Sequence, residues 1–438
     1  MITKRNQLIK KLEAQGKGDS EFAIIENPSY IHPEFEIAPL AAPLEQPNGL
    51  KALLMDMDGT TTTTETLCIY SLELMLRRMS GLMTNEAWPG LKPNEDYPNI
   101  IGNSTTNHVE YLVKTYGHLL KPNAVLTEFL KAAQWTLDNS HDENRKKEVA
   151  QNVKIWNLEG LLGSIRPNQM ADEIAIKQQD LGRDQKVSMG IDIYYQIYHK
   201  ILSGITKETL GSLNFEGGLS ADEELITPMP GIAFMLPFVK GWLGDEVEQA
   251  ASLIIAPYER RRGKKLNESE KSNVLEKLAL ISKRFEKHPV KLGLVTSSIF
   301  YEADIVIKQV LRVVQNQISE TGLSDKRKSF ITDQLNDYHA IYDTFVTATD
   351  SSEIRLKPHR DLYSMALRNL GINPHDFDKV IGFEDSQSGT VAIRAAGIGC
   401  CVAVPFQETS AHDLAAAVHV LAGGIPEAII NHHLFLTP

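Results

Sequence analysis

An α/β fold is the architecture this sequence predicts: a doubly wound parallel sheet with a helical domain inserted after its first strand. Three observations predict it. Five near-continuous apolar runs, at residues 52–56, 291–296, 340–347, 379–384 and 398–404, read as strands covered on both faces. Helical patterns separate them, with apolar residues recurring at three and four over 300–317 and 361–370. The strands end in polar signals, MDMDG, VTSS and FEDS, on the edge where open α/β sheets bind ligands.

The elements follow in chain order. Residues 1–48 form an N-terminal arm. Residues 2–13 suit a short helix, and Pro28, Pro33, Pro39, Pro43 and Pro47 then favour extended chain over a core element. The first strand lies at 52–56. The gap before the second strand at 291 is far longer than a crossover, and its first part is rich in amphipathic helix: 69–79, 106–116, 126–137 and 191–202. The expected organisation is therefore an inserted helical domain over 67–226, with the α/β core made of 49–66 and 227–438. The chain returns to the core at TPMPG, Thr227 to Gly231.

Bulk composition bounds the function. Of 438 residues, 42% are hydrophobic, enough for a sizeable core. The net charge is −11, from 45 basic and 56 acidic residues, which disfavours nucleic acid as a partner. RRRGKK at 260–265 is the one dense basic cluster, read as an exposed loop. Cys68, Cys400 and Cys401 have no zinc-ligand spacing and are too few for a disulfide scaffold. The N-terminus lacks a signal-like apolar stretch and no window is apolar enough for a membrane span, so the expected location is cytoplasmic, with no membrane partner.

Four clusters carry chemistry. Asp56 and Asp58, two apart at a strand end, can face the same way. Close carboxylates repel, so they suit either a hard cation or a division of labour between nucleophile and proton carrier. Gly59 permits the turn that follows. Thr296, Ser297 and Ser298 end a strand before a helix, where hydroxyls and N-terminal amides suit a phosphate oxygen or simply cap the helix. Lys357, before a proline, offers an ammonium that can neutralise carboxylate and phosphoryl groups. Glu384 and Asp385 end a further strand and add oxygen ligands.

In this order, DMDGT at 56–60, Thr296, Lys357-Pro358 and the EDS of 384–386, the chain resembles the haloacid dehalogenase (HAD) superfamily. It is most similar to the β-phosphoglucomutase-like and phosphoglycolate-phosphatase-like members, through GFEDSQSG, AIRAAG and the segment FVTATDSSEIRLKP. The resemblance covers 50–70 and about 227–410. It implies a Rossmann-like core with a helical C1 cap, and a Mg2+-dependent phosphoric monoester hydrolase acting on a small phosphorylated metabolite. By that resemblance Asp56 is the nucleophile and Asp58 the acid and base. Thr296 and the Ser297 amide hold phosphoryl oxygens, with Gly59 and Thr60 beside the substrate. Lys357 stabilises charge. The metal is held by Asp56, the Asp58 carbonyl, Asp385 and Glu384. In the insert, Gly102, Asn103, Ser104 and Thr105 are candidate cap contacts, and Arg77 and Arg78 lie on an early helix from which an anion is within reach. The presence of Asp58 disfavours dehalogenation. A phosphosugar mutase and a catalytically silent binding protein are the alternatives.

Where the family that the chain resembles commonly reads DGTLVDSE, this chain reads DGTTTTTE, with Thr61 and Thr62 in place of apolar residues, Thr63 of an aspartate and Thr64 of a serine. Thr60 to Thr64 form an unbroken threonine run. β-Branched residues favour extended chain, which predicts a linker between core and cap.

Overall fold

The computed structural model describes residue 10 and residues 21–27, 32–101, 104–162, 181–206, 226–350, 355–406, 409–410, 412–432 and 434–435. Among these, eight strands form two sheets. A hairpin pairs β1 (Phe22–Glu26) with β2 (Phe35–Pro39). The main sheet contains β3 (Ala52–Asp56), β4 (Lys291–Val295), β5 (Thr344–Val346), β6 (Val380–Glu384), β7 (Cys400–Ala403) and β8 (His419–Val420) in the order β5-β4-β3-β6-β7-β8, all parallel.

β3 is central and every residue of it is buried. That is why ALLMD is apolar without alternation. Its two faces enter separate clusters: Leu53 and Met55 pack with the helices on one side, Ala52 and Leu54 with those on the other. The chain passes from β3 to β4 and β5 on one side, then crosses to β6 on the other. The strand order thus reverses between β3 and β6, and a crevice opens there at the carboxyl ends. Register aligns those ends: Asp56 faces Val295, Met55 faces Phe383, and Glu384 faces Ala403.

Between β3 and Ile226 the described chain is helical: α1 (Thr64–Ser80), α2 (Thr105–Tyr116), α3 (Pro122–Asn139), α4 (Glu143–Ile155) and α5 (Arg183–Thr206). α5 packs against α1, α2 and α3, burying Ile193, Ile197 and Leu202. It also touches α9 of the core (Phe300–Ser319), which follows α6 (Ile232–Val239), α7 (Ser252–Arg262) and α8 (Glu268–Lys287). α10 (Asp325–Leu335), α11 (Asp361–Asn369), α12 (Gln387–Ala395) and α13 (Gly424–Ile430) complete the core.

Several expectations are corrected. Residues 340–347 are not one strand. Asp337 accepts from His339 N and starts a helical turn, Tyr338–Ile341, so β5 begins only at Thr344. β8 spans two residues, too short to show a period. Within the arm, expected as extended chain outside the core, β1 and β2 pair as an antiparallel hairpin. The Arg394 guanidinium fastens the chain on both sides of β1 and β2, donating to Glu21 Oε2 (2.6 Å) and the Ala41 carbonyl (2.8 Å). The helix expected over 2–13 lies outside the described residues. RRR belongs to the last turn of α7, whose C-cap is Gly263. No helix among the described residues is long and apolar enough to cross a membrane.

Candidate active site

The site grows from the end of β3. Gly59 has φ +80°, a left-handed turn that sends the chain back over Asp56. A Cβ there would stand 2.4 Å from Asp385 Oδ2, so the glycine also makes room for that carboxylate.

The threonine run is wired into this turn rather than extended. Thr60 Oγ1 donates to Asp385 Oδ1 (3.3 Å), and Thr61 Oγ1 to the Asp56 carbonyl (2.6 Å). Thr62 Oγ1 donates to the Met57 carbonyl (3.2 Å) and lies 2.8 Å from Thr64 Oγ1. Thr63 and Thr227 exchange backbone and side-chain bonds, including Thr63 N to the Thr227 carbonyl (3.0 Å) and Thr227 N to Thr63 Oγ1 (2.9 Å). The strands of chain leaving and re-entering the core are clasped at that point. Thr64 Oγ1 donates to Asp58 Oδ1. Thr60, Thr61 and Thr62 are almost wholly buried, and short hydroxyls satisfy each other and the turn where apolar residues would leave carbonyls bare. The linker expectation is therefore replaced by a hydrogen-bonded turn.

Asp58 receives two further hydroxyls on Oδ2: Thr296 Oγ1 at 2.8 Å and Ser298 Oγ at 3.1 Å. Thr296 also accepts from Ser298 N (2.9 Å) and is fully buried. Its hydroxyl, expected on a phosphoryl oxygen, here donates to Asp58 Oδ2. Ser298, expected only as part of the hydroxyl cluster after the strand, and Thr64, read only within the threonine run, both bind Asp58.

Lys357 stands between two carboxylates, ion-paired with Asp56 Oδ1 and, at 2.7 Å, with Glu384 Oε1. Its peptide with Pro358 is cis. Burial alone would pull the ammonium down, yet Asp56 and Glu384 hold it above its usual range. Burial, then the Glu384 charge, pushes Asp56 well above the usual carboxylate range against the pull of Lys357. Asp385 is pushed the same way by burial and by Glu384 and Asp56.

Glu384 is fully engaged. Oε1 also accepts from Tyr363 Oη (3.2 Å); Oε2 accepts from Asp385 N, Ser386 N and Ser386 Oγ (3.0, 3.1 and 2.9 Å). Gly389, at the start of α12, leaves the space this carboxylate occupies: a Cβ would sit 1.7 Å from Oε1. A helical Gly→Ala change ordinarily gains about 1 kcal/mol. Here overpacking, at about 1–3 kcal/mol or more, outweighs it. Gly389→Ala is expected to lower the denaturation midpoint; a rise would show that the Glu384 pocket is loose.

Oxygens of Asp56, Glu384 and Asp385 lie within 4.8 Å of one another. Asp385 Oδ2 is buried without a hydrogen-bond partner among the described residues. Hard carboxylate oxygens with one orphaned member fit a divalent cation. Asp56 and Asp385 are the available ligands, while Glu384 is saturated by donors. The Asp58 carboxylate stands outside this cluster.

A cavity of about 330 Å³ opens over Asp56, Asp58, Lys357 and Asp385. Ser297, Ser104 and Thr105 line it, the last two reaching it from the N-terminus of α2, where Ser104 caps Asn107 N. Gly59 and Thr60 do not line it and instead support Asp385. Gly102 and Asn103 lie outside the described residues. Arg77 is buried away from the cavity, its guanidinium held by Glu73 (2.8 Å) and the carbonyls of Leu82, Thr84 and Trp88. Arg78 donates to Gln196 Oε1 (3.2 Å).

No protein-family model matches the chain. A curated Bacillus subtilis protein named "Putative phosphatase YhcW" is 29% identical over 157 residues, which span 34% of this chain and 60% of that protein. The chain thus matches less than two thirds of that relative's length. Among solved structures, CbbY from Rhodobacter sphaeroides in complex with phosphate aligns with a TM-score of 0.38 and 14% identity, over 85% of this chain and 93% of that one. A HAD family hydrolase from Deinococcus radiodurans with bound phosphate and sodium aligns with a TM-score of 0.38 and 15% identity, over 89% and 99%.

Proposed function

We propose that this chain, a haloacid dehalogenase superfamily protein by its motifs and fold, is a Mg2+-dependent phosphatase that hydrolyses a small phosphorylated metabolite through an aspartyl-phosphate. One observation carries the reading: Asp56, Asp58, Lys357 and Asp385, drawn from the ends of β3 and β6 and from one loop, converge on a single cavity.

Asp56 is the nucleophile. Its carboxylate oxygen bonds to phosphorus as the bond from phosphorus to the alcohol oxygen breaks. Asp58 delivers a proton to the departing oxygen, then takes one from the water that attacks the aspartyl-phosphate and releases phosphate. Thr64, Thr296 and Ser298 hold Asp58 at both oxygens, and hydroxyls can reverse from donor to acceptor when it is protonated. Lys357 opposes the upward push of burial and Glu384 on Asp56 and faces the charge spreading over the phosphoryl oxygens. The Ser297 amide supplies a further donor on the cavity wall. Asp56 and Asp385, with the Asp58 carbonyl, would hold Mg2+, which neutralises phosphoryl charge when bound. The helices α1 to α5 act as the cap that excludes water.

Phosphate release from a panel of monoesters tests this. Release is expected with Mg2+ and is expected to fall at least about 100-fold in EDTA. Mg2+ alone is also expected to raise Tm by several degrees, because it relieves clustered buried acids. Equal release with and without chelator would refute the metal assignment. Isomerisation of a sugar phosphate without release would favour a mutase.

A further inference from the structure

The hairpin of the N-terminal arm lines no part of the site, and its two faces differ. Side chains alternate along a strand, so the pairing register sorts them. Ile25 and Glu36 are partners and share one face. Ile24 and Ile37 are partners on the other, with Phe22 opposite Pro39 and Glu26 opposite Phe35. The first face looks to the body: Ile25 is buried, and Glu36 Oε2 accepts from Arg355 Nη1 (2.7 Å).

The second face looks to water. Phe22, Ile24, Phe35 and Ile37 are 45%, 71%, 50% and 62% exposed. Ten large apolar side chains are exposed among the described residues, and two five-residue strands hold four of them. At about 200 Å² for a whole side chain of this size, the four leave on the order of 450 Å² of apolar surface in water. An entire monomer ordinarily has about 300–600 Å² in its largest such patch. The hairpin is fastened so that this face stays outward. Leu40 N closes its base on the Glu21 carbonyl (2.9 Å), Arg394 holds Glu21 and Ala41, and Arg355 holds Glu36. Turning the face inward would break all of these.

Charge and area select the partner. The two strands carry Glu26 and Glu36 and no lysine or arginine, and Glu36 is already paired. An anionic membrane or a nucleic acid needs cations at its docking surface, and this face has none. A cationic segment would find only Glu26. A second copy of the chain needs no complementary charge, because an isologous contact sets the same apolar patch against itself. With the two-fold axis crosswise to the strands at the Ile24–Ile37 pair, the two Glu26 carboxylates fall at opposite ends of the contact. The four side chains supply more than half of the roughly 800 Å² per partner that a stable interface buries. Exposed Glu26 and Pro39 on the same face add to it.

We propose that two copies of the chain associate face to face through this hairpin, with their Ile24–Ile37 pairs at the centre. The arm is then an assembly device, separate from the chemistry at the end of β3.

Sedimentation equilibrium of the full chain tests this. A dimer is expected at about 10 μM. Ile24→Lys and Ile37→Lys each bring two ammonium groups to the centre of the dimer, and each is expected to weaken association at least about 100-fold. Both side chains are exposed in the single chain, so the circular dichroism of the resulting monomers is expected to match the parent's. Leu280→Lys changes an exposed leucine on α8, off the hairpin, and is expected to stay dimeric. A dimer that survives both hairpin variants overturns the proposal, because its interface lies elsewhere. A monomeric parent overturns it too, and thermal melts then say why. A lower Tm for Ile24→Lys would mean that the chain covers this face itself, and an unchanged Tm that the face stays bare.

Discussion

Asp56→Asn is expected to lower kcat for phosphate release by about 10⁴-fold or more while the protein stays folded. The amide is isosteric with the carboxylate but is a far weaker nucleophile, and removing the nucleophile of a concerted site costs on this scale because the remaining groups lose their partner. Folding should survive, and the buried anion count falls by one. Asp56 is pushed up by burial and by Glu384, so its charge is a burden on the native state. Replacing it by a neutral group therefore leaves stability equal or higher in the absence of metal. Mg2+ should stabilise the variant less than the parent, because one ligand is gone. The paired readout is steady-state phosphate release and Tm with and without Mg2+. Turnover within tenfold of the parent would remove Asp56 from the nucleophile's role.

Lys357→Met carries the second large effect, and it falls on stability as well as on rate. The lysine is the shared cation of Asp56 and Glu384, and its side chain is 7% exposed. Removing one partner of a buried charge pair costs about 3–5 kcal/mol, because the abandoned charge stays desolvated. The lower end applies here. Glu384 keeps four other donors, from Tyr363, Asp385 N, Ser386 N and Ser386 Oγ, and Asp56 can take up a proton. The denaturation midpoint measures this loss. Mg2+ is expected to recover part of it, since a cation returns to the same carboxylates. The rate is expected to fall about 10²–10³-fold, the usual cost of one charge-stabilising group. A variant as stable as the parent would mean that the carboxylates are neutral in the native protein and that Lys357 does not balance them.

The two variants separate the roles that one cluster combines. Asp56→Asn spares stability and removes chemistry; Lys357→Met weakens both.

Much of this site could be read before any fold was known. Asp56, Thr296 and Glu384 each close an apolar run, and parallel strands bring their carboxyl ends to one edge wherever they lie in the sheet. That is a local signal with a guaranteed spatial outcome. The main helices, such as α1, α2 and α9, announced themselves by their apolar period. The failures have equally definite causes. β5 was overextended because apolar residues of a helical turn and a strand run together at 338–346. The hairpin of 22–39 was hidden by prolines flanking its strands, and its anchor, Arg394, is more than 350 residues away.

The sequence sets the order and kind of the reactive groups: two aspartates around a turn, hydroxyls and an acidic pair at strand ends, and a lysine in a loop before a proline. What the tertiary structure decided is their wiring. Strand register set Asp56 beside Glu384 with Lys357 reaching between them from a loop, and docking of distant segments gave Thr60 and Thr63 their partners Asp385 and Thr227. Packing of α5 against α1 and α2 brought Tyr194 and Tyr198 to the cavity that holds Asp56, some 140 positions earlier in the chain. Hydrogen bonds and cavity walls depend on side chains that meet only after distant segments dock, and no local period encodes that meeting.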